Sequence, residues 1–251
     1  MFTGRLQRCT VAIVVAGALH AAPSLAGPPF LTDDPVPVEL HHWEAYVFST
    51  WDATAGATDI GGPAVEFNLG AAPELQLHLV VPLATASRSG GSTTHGLGDV
   101  EVGAKYRFVE ETKDHPQIGT FPMLELPTGS AQRGLGNGRL WARVPVWAQK
   151  SWGPWTTYGG VGVVINDAPG ARSYPFAGWL LQRDLSPRLT LGGELFTRGA
   201  DSTDGRSTTI FNGGGYYNFT PGFSLLFTAG RTVSGEPHTI AYLGLYWTWG
   251  S

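Results

Sequence analysis

From residue 40 onward the chain divides into segments of about ten to thirteen residues in which every second side chain is apolar, each closed by Gly, Pro, Asp or Ser. A period of two belongs to a β-strand, whose successive side chains point to opposite faces. The pattern predicts strands near 40–52, 62–70, 74–86, 97–109, 117–128, 139–151, 155–166, 173–184, 188–199, 207–219, 223–233 and 238–249. In the third, Leu75, Leu77, Leu79 and Val81 share one face. In the fourth, Val100, Val102, Ala104, Tyr106 and Phe108 stand opposite Asp99, Glu101, Lys105 and Arg107.

A soluble β-sandwich would alternate in the same way, so the connections have to decide. With the N-terminus on the periplasmic side, the odd connections, near 53–61, 87–96, 129–138, 167–172, 200–206 and 234–237, face outward. They carry flexible polar runs such as Ser87 to Ser92 and Asp201 to Gly205. The even connections, Ala71 to Pro73, Glu110 to Pro116, Trp152 to Pro154, Leu185 to Pro187 and Thr220 to Gly222, are mostly tighter and rich in proline. Long outside and short inside is the order of an outer-membrane barrel, and a sandwich has no reason to sort its loops by parity. The fold class expected is therefore all-β, an antiparallel transmembrane β-barrel of about twelve strands with both termini periplasmic. The last strand, with Leu243, Leu245, Trp247 and Trp249 alternating, has the form by which such barrels present themselves to the insertion machinery, although Gly250 and Ser251 follow the final aromatic.

Composition agrees with strands in a membrane. Charged residues are only 14% of the chain, below the ~25% of soluble domains. Glycine, with 35 residues, disfavours helix interiors, and nine Trp, eight Tyr and twelve Phe suit strands and membrane interfaces. Arg5 and Arg8, the apolar run Val11 to Ala22 and the small residues Ser24-Leu25-Ala26 read as a cleaved signal peptide over residues 1–26. Its removal takes away Cys9 and two basic residues, leaving a chain more acidic than the formal −4, which excludes a disulfide framework and disfavours nucleic acid as a partner. Residues 27–39, with Pro28, Pro29, Pro35 and Pro37, form no regular strand and read as a periplasmic lead-in or a small plug, ahead of a barrel over 40–251.

Three stretches carry a family resemblance: Thr32-Asp33-Asp34-Pro35, the run from Gly96-Leu97-Gly98-Asp99 to Phe108, and Leu124-Glu125-Leu126-Pro127-Thr128-Gly129. In this order they resemble the outer-membrane transporters of the phenol-degradation meta-pathway (MetA-pathway) family. The resemblance implies a Gram-negative outer-membrane channel for passive uptake of small hydrophobic or aromatic molecules, embedded in outer-membrane lipids.

Charges facing lipid cost about 2–4 kcal/mol at the midplane, so the strand charges should point into the lumen. The lumen-lining candidates are Glu44, Glu66, His78, Asp99, Glu101, Lys105, Arg107, Glu125, Arg143 and Glu194. They either select what passes or pair with one another to fill and rigidify a small barrel. No metal or cofactor site is expected, because His41 and His42 are adjacent and so would face opposite ways on a strand. Two other roles stay open: a barrel enzyme acting on lipid or surface substrates, and a structural or adhesive barrel. The outer-membrane lipid hydrolases resemble one another in a His-x-Ser pair, and none occurs in this sequence. Gly134-Leu135-Gly136-Asn137-Gly138 matches no phosphate-binding loop and reads as a flexible loop.

Overall fold

A computed structural model describes residues 29–250. The expected signal peptide, residues 1–26, lies outside them. The strands are β1 (His42–Ala53), β2 (Ala57–Ala72), β3 (Leu75–Arg88), β4 in two pieces (Thr94–Leu97 and Val100–Val109), β5 in two pieces (Gln117–Thr120 and Met123–Leu126), β6 (Trp141–Trp152), β7 (Trp155–Ile165), β8 (Tyr174–Ser186), β9 (Leu189–Arg198), β10 (Thr208–Thr220), β11 (Phe223–Ser234) and β12 (Thr239–Gly250). Both pieces of β4 pair with β3, and both pieces of β5 lie between β4 and β6, so each counts as one strand with a local break. One break contains Gly98 and the other Pro122, which has no N–H to give the ladder.

Each strand pairs antiparallel with the next in sequence, and β1 closes on β12 in continuous register from His42↔Gly250 to Ala53↔Thr239. The result is a closed barrel of twelve strands. Closure pairs every strand on both sides and removes the open edge, which hydrocarbon would not tolerate.

Several strands run further than their composition suggests. The connection expected near 53–61 shrinks to residues 54–56, because Thr58 to Gly61 pair with β1 and β3 instead of looping. The sorting by parity persists. Pro73-Glu74, Gly153-Pro154, Pro187-Arg188 and Pro221-Gly222 are two-residue turns at the end that also holds His42 and Gly250, here called the turn end. The opposite, loop end carries the longest connection, residues 127–140.

The faces settle what surrounds the barrel. In β3, Leu77, Leu79 and Val81 are exposed while Gln76, His78 and Val80 between them are buried. Val65 and Phe67, Tyr106 and Phe108, Val144 and Val146, and Val161, Val163 and Ile165 continue the apolar exterior on other strands. Apolar outside and polar inside inverts a soluble protein and suits a lipid surround. Near the turn end Tyr217, Phe219, Phe223 and Trp247 form a chain of ring contacts at 5.3, 5.1 and 5.1 Å, with Trp43, Trp152 and Trp249 exposed at the same end of their strands, as in an interfacial aromatic belt. Trp147 departs from this and is buried in a lumen cluster with Phe121, Met123, Val164, Phe176 and Phe196.

Candidate functional site

Residues 29–40 do not hang below the barrel. They run through it, with Thr32, Asp34, Pro35 and Val38 buried. Proline fixes an extended backbone here and leaves no sheet register to follow, so the lumen wall has to satisfy this strap. The Glu194 carboxylate of β9 accepts the backbone N–H groups of Leu31 (3.1 Å) and Thr32, and Asn212 Nδ2 donates to the same carboxylate at 3.2 Å. Thr228 Oγ1 donates to the Pro29 carbonyl at 2.9 Å, and Gln76 Oε1 accepts the Val38 N–H at 3.0 Å. Lys105 Nζ, 1% exposed, lies 2.9 Å from Asp33 Oδ1 and 3.6 Å from Asp34 Oδ1. A Cβ at Gly178 would collide with Thr32 Oγ1, so glycine lets β8 approach the strap closely.

The strap divides the interior. On the loop side lies a chamber of about 480 Å³ whose floor includes Pro29, Phe30, Leu31 and Asp33, with Phe48, Trp51, Phe121 and Tyr242 in its walls. On the turn side lies a second space of about 900 Å³ lined by Val36, Pro37, Val38, Glu44, Arg107 and Tyr246. Between them are the most deeply buried strap residues, Thr32, Asp34 and Pro35.

Seven of the ten lumen candidates meet at the loop-side chamber: Glu66, His78, Asp99, Glu101, Lys105, Glu125 and Arg143. There, Asn68 Nδ2 donates to Glu66 at 2.9 Å, and His78 bridges Asn68 Oδ1 (2.7 Å) and Glu101 (2.8 Å) through its two ring nitrogens. The Arg143 guanidinium sits 5.0 Å over the Phe176 ring. Glu44 and Arg107 belong instead to the turn-side space. Glu44 accepts hydrogen bonds from the Tyr46 and Tyr246 hydroxyls at 3.0 and 2.8 Å, and Arg107 pairs with Glu74 and donates to Gln117. Glu194 borders neither space; the strap occupies it.

Asp99 does more than line a wall. Sitting in the break of β4, its carboxylate accepts the N–H of Gly129 (2.8 Å) and of Asn137 (2.6 Å), clamping the longest loop at both ends. A Cβ at Gly136 would overlap the Asp99 carboxylate, so glycine there provides close approach, and the flexible-loop reading of residues 134–138 is replaced by a packed one. The same loop buries Leu135 and carries the short 3-10 turn Ala131–Arg133.

Thr32, Asp33 and Asp34 of the strap were not among the sequence candidates, nor were the wall residues Gln76 and Thr228, which bond Val38 and Pro29, and Asn212, which bonds Glu194. The Thr-Asp-Asp-Pro motif was the available signal. The neutral partners carry none, since one polar residue on a strand looks like any other. His41 has a left-handed backbone, φ 65°, and precedes β1, so the expectation that it shares a strand with His42 does not hold. Among the described residues no cluster of three or more metal-binding side chains occurs.

A sequence profile of the family described as "Putative MetA-pathway of phenol degradation" matches residues 44–248. The chain belongs to this family. The match includes the Gly96-to-Phe108 and Leu124-to-Gly129 stretches, while Thr32 to Pro35 fall before it. No curated protein matches the chain by sequence. Among solved structures, the chain is similar to an outer membrane channel from Pseudomonas putida at 17% identity and a TM-score of 0.75, covering 86% of this chain and 98% of that one. It is also similar to the NanC porin (8% identity, 81% and 98% covered, TM-score 0.56). The translocator domain of the autotransporter NalP from Neisseria meningitidis gives 12% identity, 82% and 88% covered, and a TM-score of 0.54. At these identities the likeness is one of fold. Together with the closed sheet and the apolar exterior, it makes this family member a bacterial outer-membrane β-barrel.

Proposed function

We propose that the barrel is a channel for passive uptake of small apolar or aromatic molecules, with its turn end in the periplasm and the strap as the element that has to shift for a solute to pass. The observation that carries this reading is the loop-side chamber, whose volume of about 480 Å³ and aromatic walls suit one small ring-bearing solute. A twelve-strand barrel filled by side chains and a strap leaves no water-filled pore, so large or strongly hydrated solutes are excluded. Selection would fall to the charged wall residues, and β12, with Leu243 and Trp249 exposed, would serve recognition by the insertion machinery.

Liposomes carrying the purified chain should admit small aromatic compounds faster than empty liposomes and should exclude sugars. Deleting residues 29–38 should raise single-channel conductance. Absence of permeation by every compound, with or without the strap, would overturn the channel. Hydrolysis of phospholipid or lipopolysaccharide by the purified chain would place it among barrel enzymes instead.

A further inference from the structure

The loop-side chamber is strongly unbalanced in charge. Glu66, Asp99, Glu101 and Glu125 line its walls, Asp33 its floor, and Asp52 and Asp59 complete the set. Among the described residues the only full cations lining it are Lys105 and Arg143. Lys105 offsets one of the two strap carboxylates, Asp33 and Asp34, and Arg143 offsets at most one of the four wall acids, which leaves the wall acidic. Asp52 and Asp59 have partners of their own in His238 (2.7 Å) and Arg88 (2.6 Å), which leaves the excess deeper in the chamber.

There Glu101 of β4 and Glu125 of β5 stand directly opposite each other in the ladder. Like charges in facing positions destabilise a sheet unless something lies between them. Glu101 has His78 as a partner, whereas Glu125 has no hydrogen bond or ion pair among the described residues. Three further groups lining the chamber lack a hydrogen-bond partner among the described residues, the first being Arg143 Nε beside the Phe176 ring. The Asn212 amide oxygen and the Tyr242 hydroxyl accept or donate no hydrogen bond among the described residues, although both side chains line the chamber and are only 1% and 8% exposed. Buried polar atoms are paired in the great majority of native structures, so unpaired ones facing a cavity point to a ligand that completes them. An amide oxygen and a carboxylate both need donors. An ammonium group brings three N–H donors and a positive charge. Beside these groups lies a ring-binding wall, with Tyr242 stacked on Phe48 at 5.3 Å and Phe121 edge-on to His78 at 5.1 Å.

We propose that this chamber is a recognition site for small aromatic ammonium ions, with the cation held at the facing carboxylates Glu101 and Glu125. The inference rests on the channel reading and narrows it: among ring-bearing solutes of one size, the chamber favours the cation over the neutral molecule and the neutral molecule over the anion. Low-dielectric walls of one sign focus the field inside a cleft, which strengthens that order.

Binding tests this separately from transport. The full chain, purified in an uncharged detergent at neutral pH and low salt, is titrated by calorimetry with benzylammonium, benzyl alcohol and benzoate, three probes of nearly the same shape. Benzylammonium should bind at least tenfold tighter than benzoate, with benzyl alcohol between, and its affinity should fall several-fold when salt rises from about 0.01 to about 0.15 M, as the Debye length drops from ~30 to ~8 Å. Glu101→Gln combined with Glu125→Gln should bring benzylammonium down to the affinity of benzyl alcohol. Benzoate binding as tightly as benzylammonium would overturn the proposal, as would binding of none of the three or a salt-independent cation affinity, and none of these outcomes needs a variant. Such failures leave the channel reading standing, since that is judged by flux into liposomes.

Discussion

The Glu194 carboxylate on β9 holds the backbone N–H of Thr32, 162 residues away in sequence, and so ties the strap to the barrel wall. One buried side chain thus fixes a segment with no regular secondary structure of its own. Charge-assisted hydrogen bonds contribute about 1.5–3 kcal/mol each, and Glu194 makes them to both Leu31 and Thr32. Glu194→Ala should release the strap. A cysteine at position 32 (Thr32→Cys) should react with a membrane-impermeant maleimide at least tenfold faster in that background, and unchanged labelling would count against the anchor.

Lys105 is a buried cation whose partners are both strap carboxylates. Removing one member of a buried pair leaves the other uncompensated, at about 3–5 kcal/mol. Lys105→Met should lower the thermal unfolding midpoint of the barrel, and adding Asp33→Asn and Asp34→Asn should restore part of the loss. A triple variant no more stable than Lys105→Met would show that the pair is not the source.

Asp99 clamps the longest loop through Gly129 and Asn137. Asp99→Ala orphans both N–H groups and should open the loop to protease near residues 130–137 while leaving the remainder of the barrel resistant. Asp99→Asn, which keeps one amide oxygen as acceptor, should give intermediate cleavage. Equal resistance in all three proteins would refute the clamp.

Leu79 is outward-facing and His78 beside it is inward. Leu79→Arg should destabilise the barrel in phospholipid by about 2–4 kcal/mol if Leu79 lies near the midplane, measured by urea titration in vesicles. The same substitution at Ser89, in a loop-end connection, should cost well under 1 kcal/mol.

The barrel was legible because lipid imposes a simple rule on it. Leu77, Leu79 and Val81 had to be apolar and His78 between them did not, so the period of two survived in the sequence. The lumen charges were legible for the complementary reason, since Glu66 or Lys105 has nowhere else to point. What each charge does was not legible. Asp99 and Glu101 differ by two positions on the same strand pattern, yet one clamps a loop and the other stands beside Glu125 on the neighbouring strand. That difference arises from the break at Gly98 and from a loop folding back over it, and neither has a periodic signature. The strap was hardest to place, because its anchors are backbone N–H groups that every residue but proline carries.

The seam between β1 and β12 carries one more implication. Glu44 and Tyr246 meet there across 202 positions of chain. Pairing so distant in sequence comes late in folding, since the loop has to be closed before the contacts reward it. The strap precedes β1 and lies inside the finished ring, held there by Glu194 on one wall and Lys105 on another. The β1–β12 seam and the strap thus belong to one construction, since the wall that the seam closes is the wall that holds the strap.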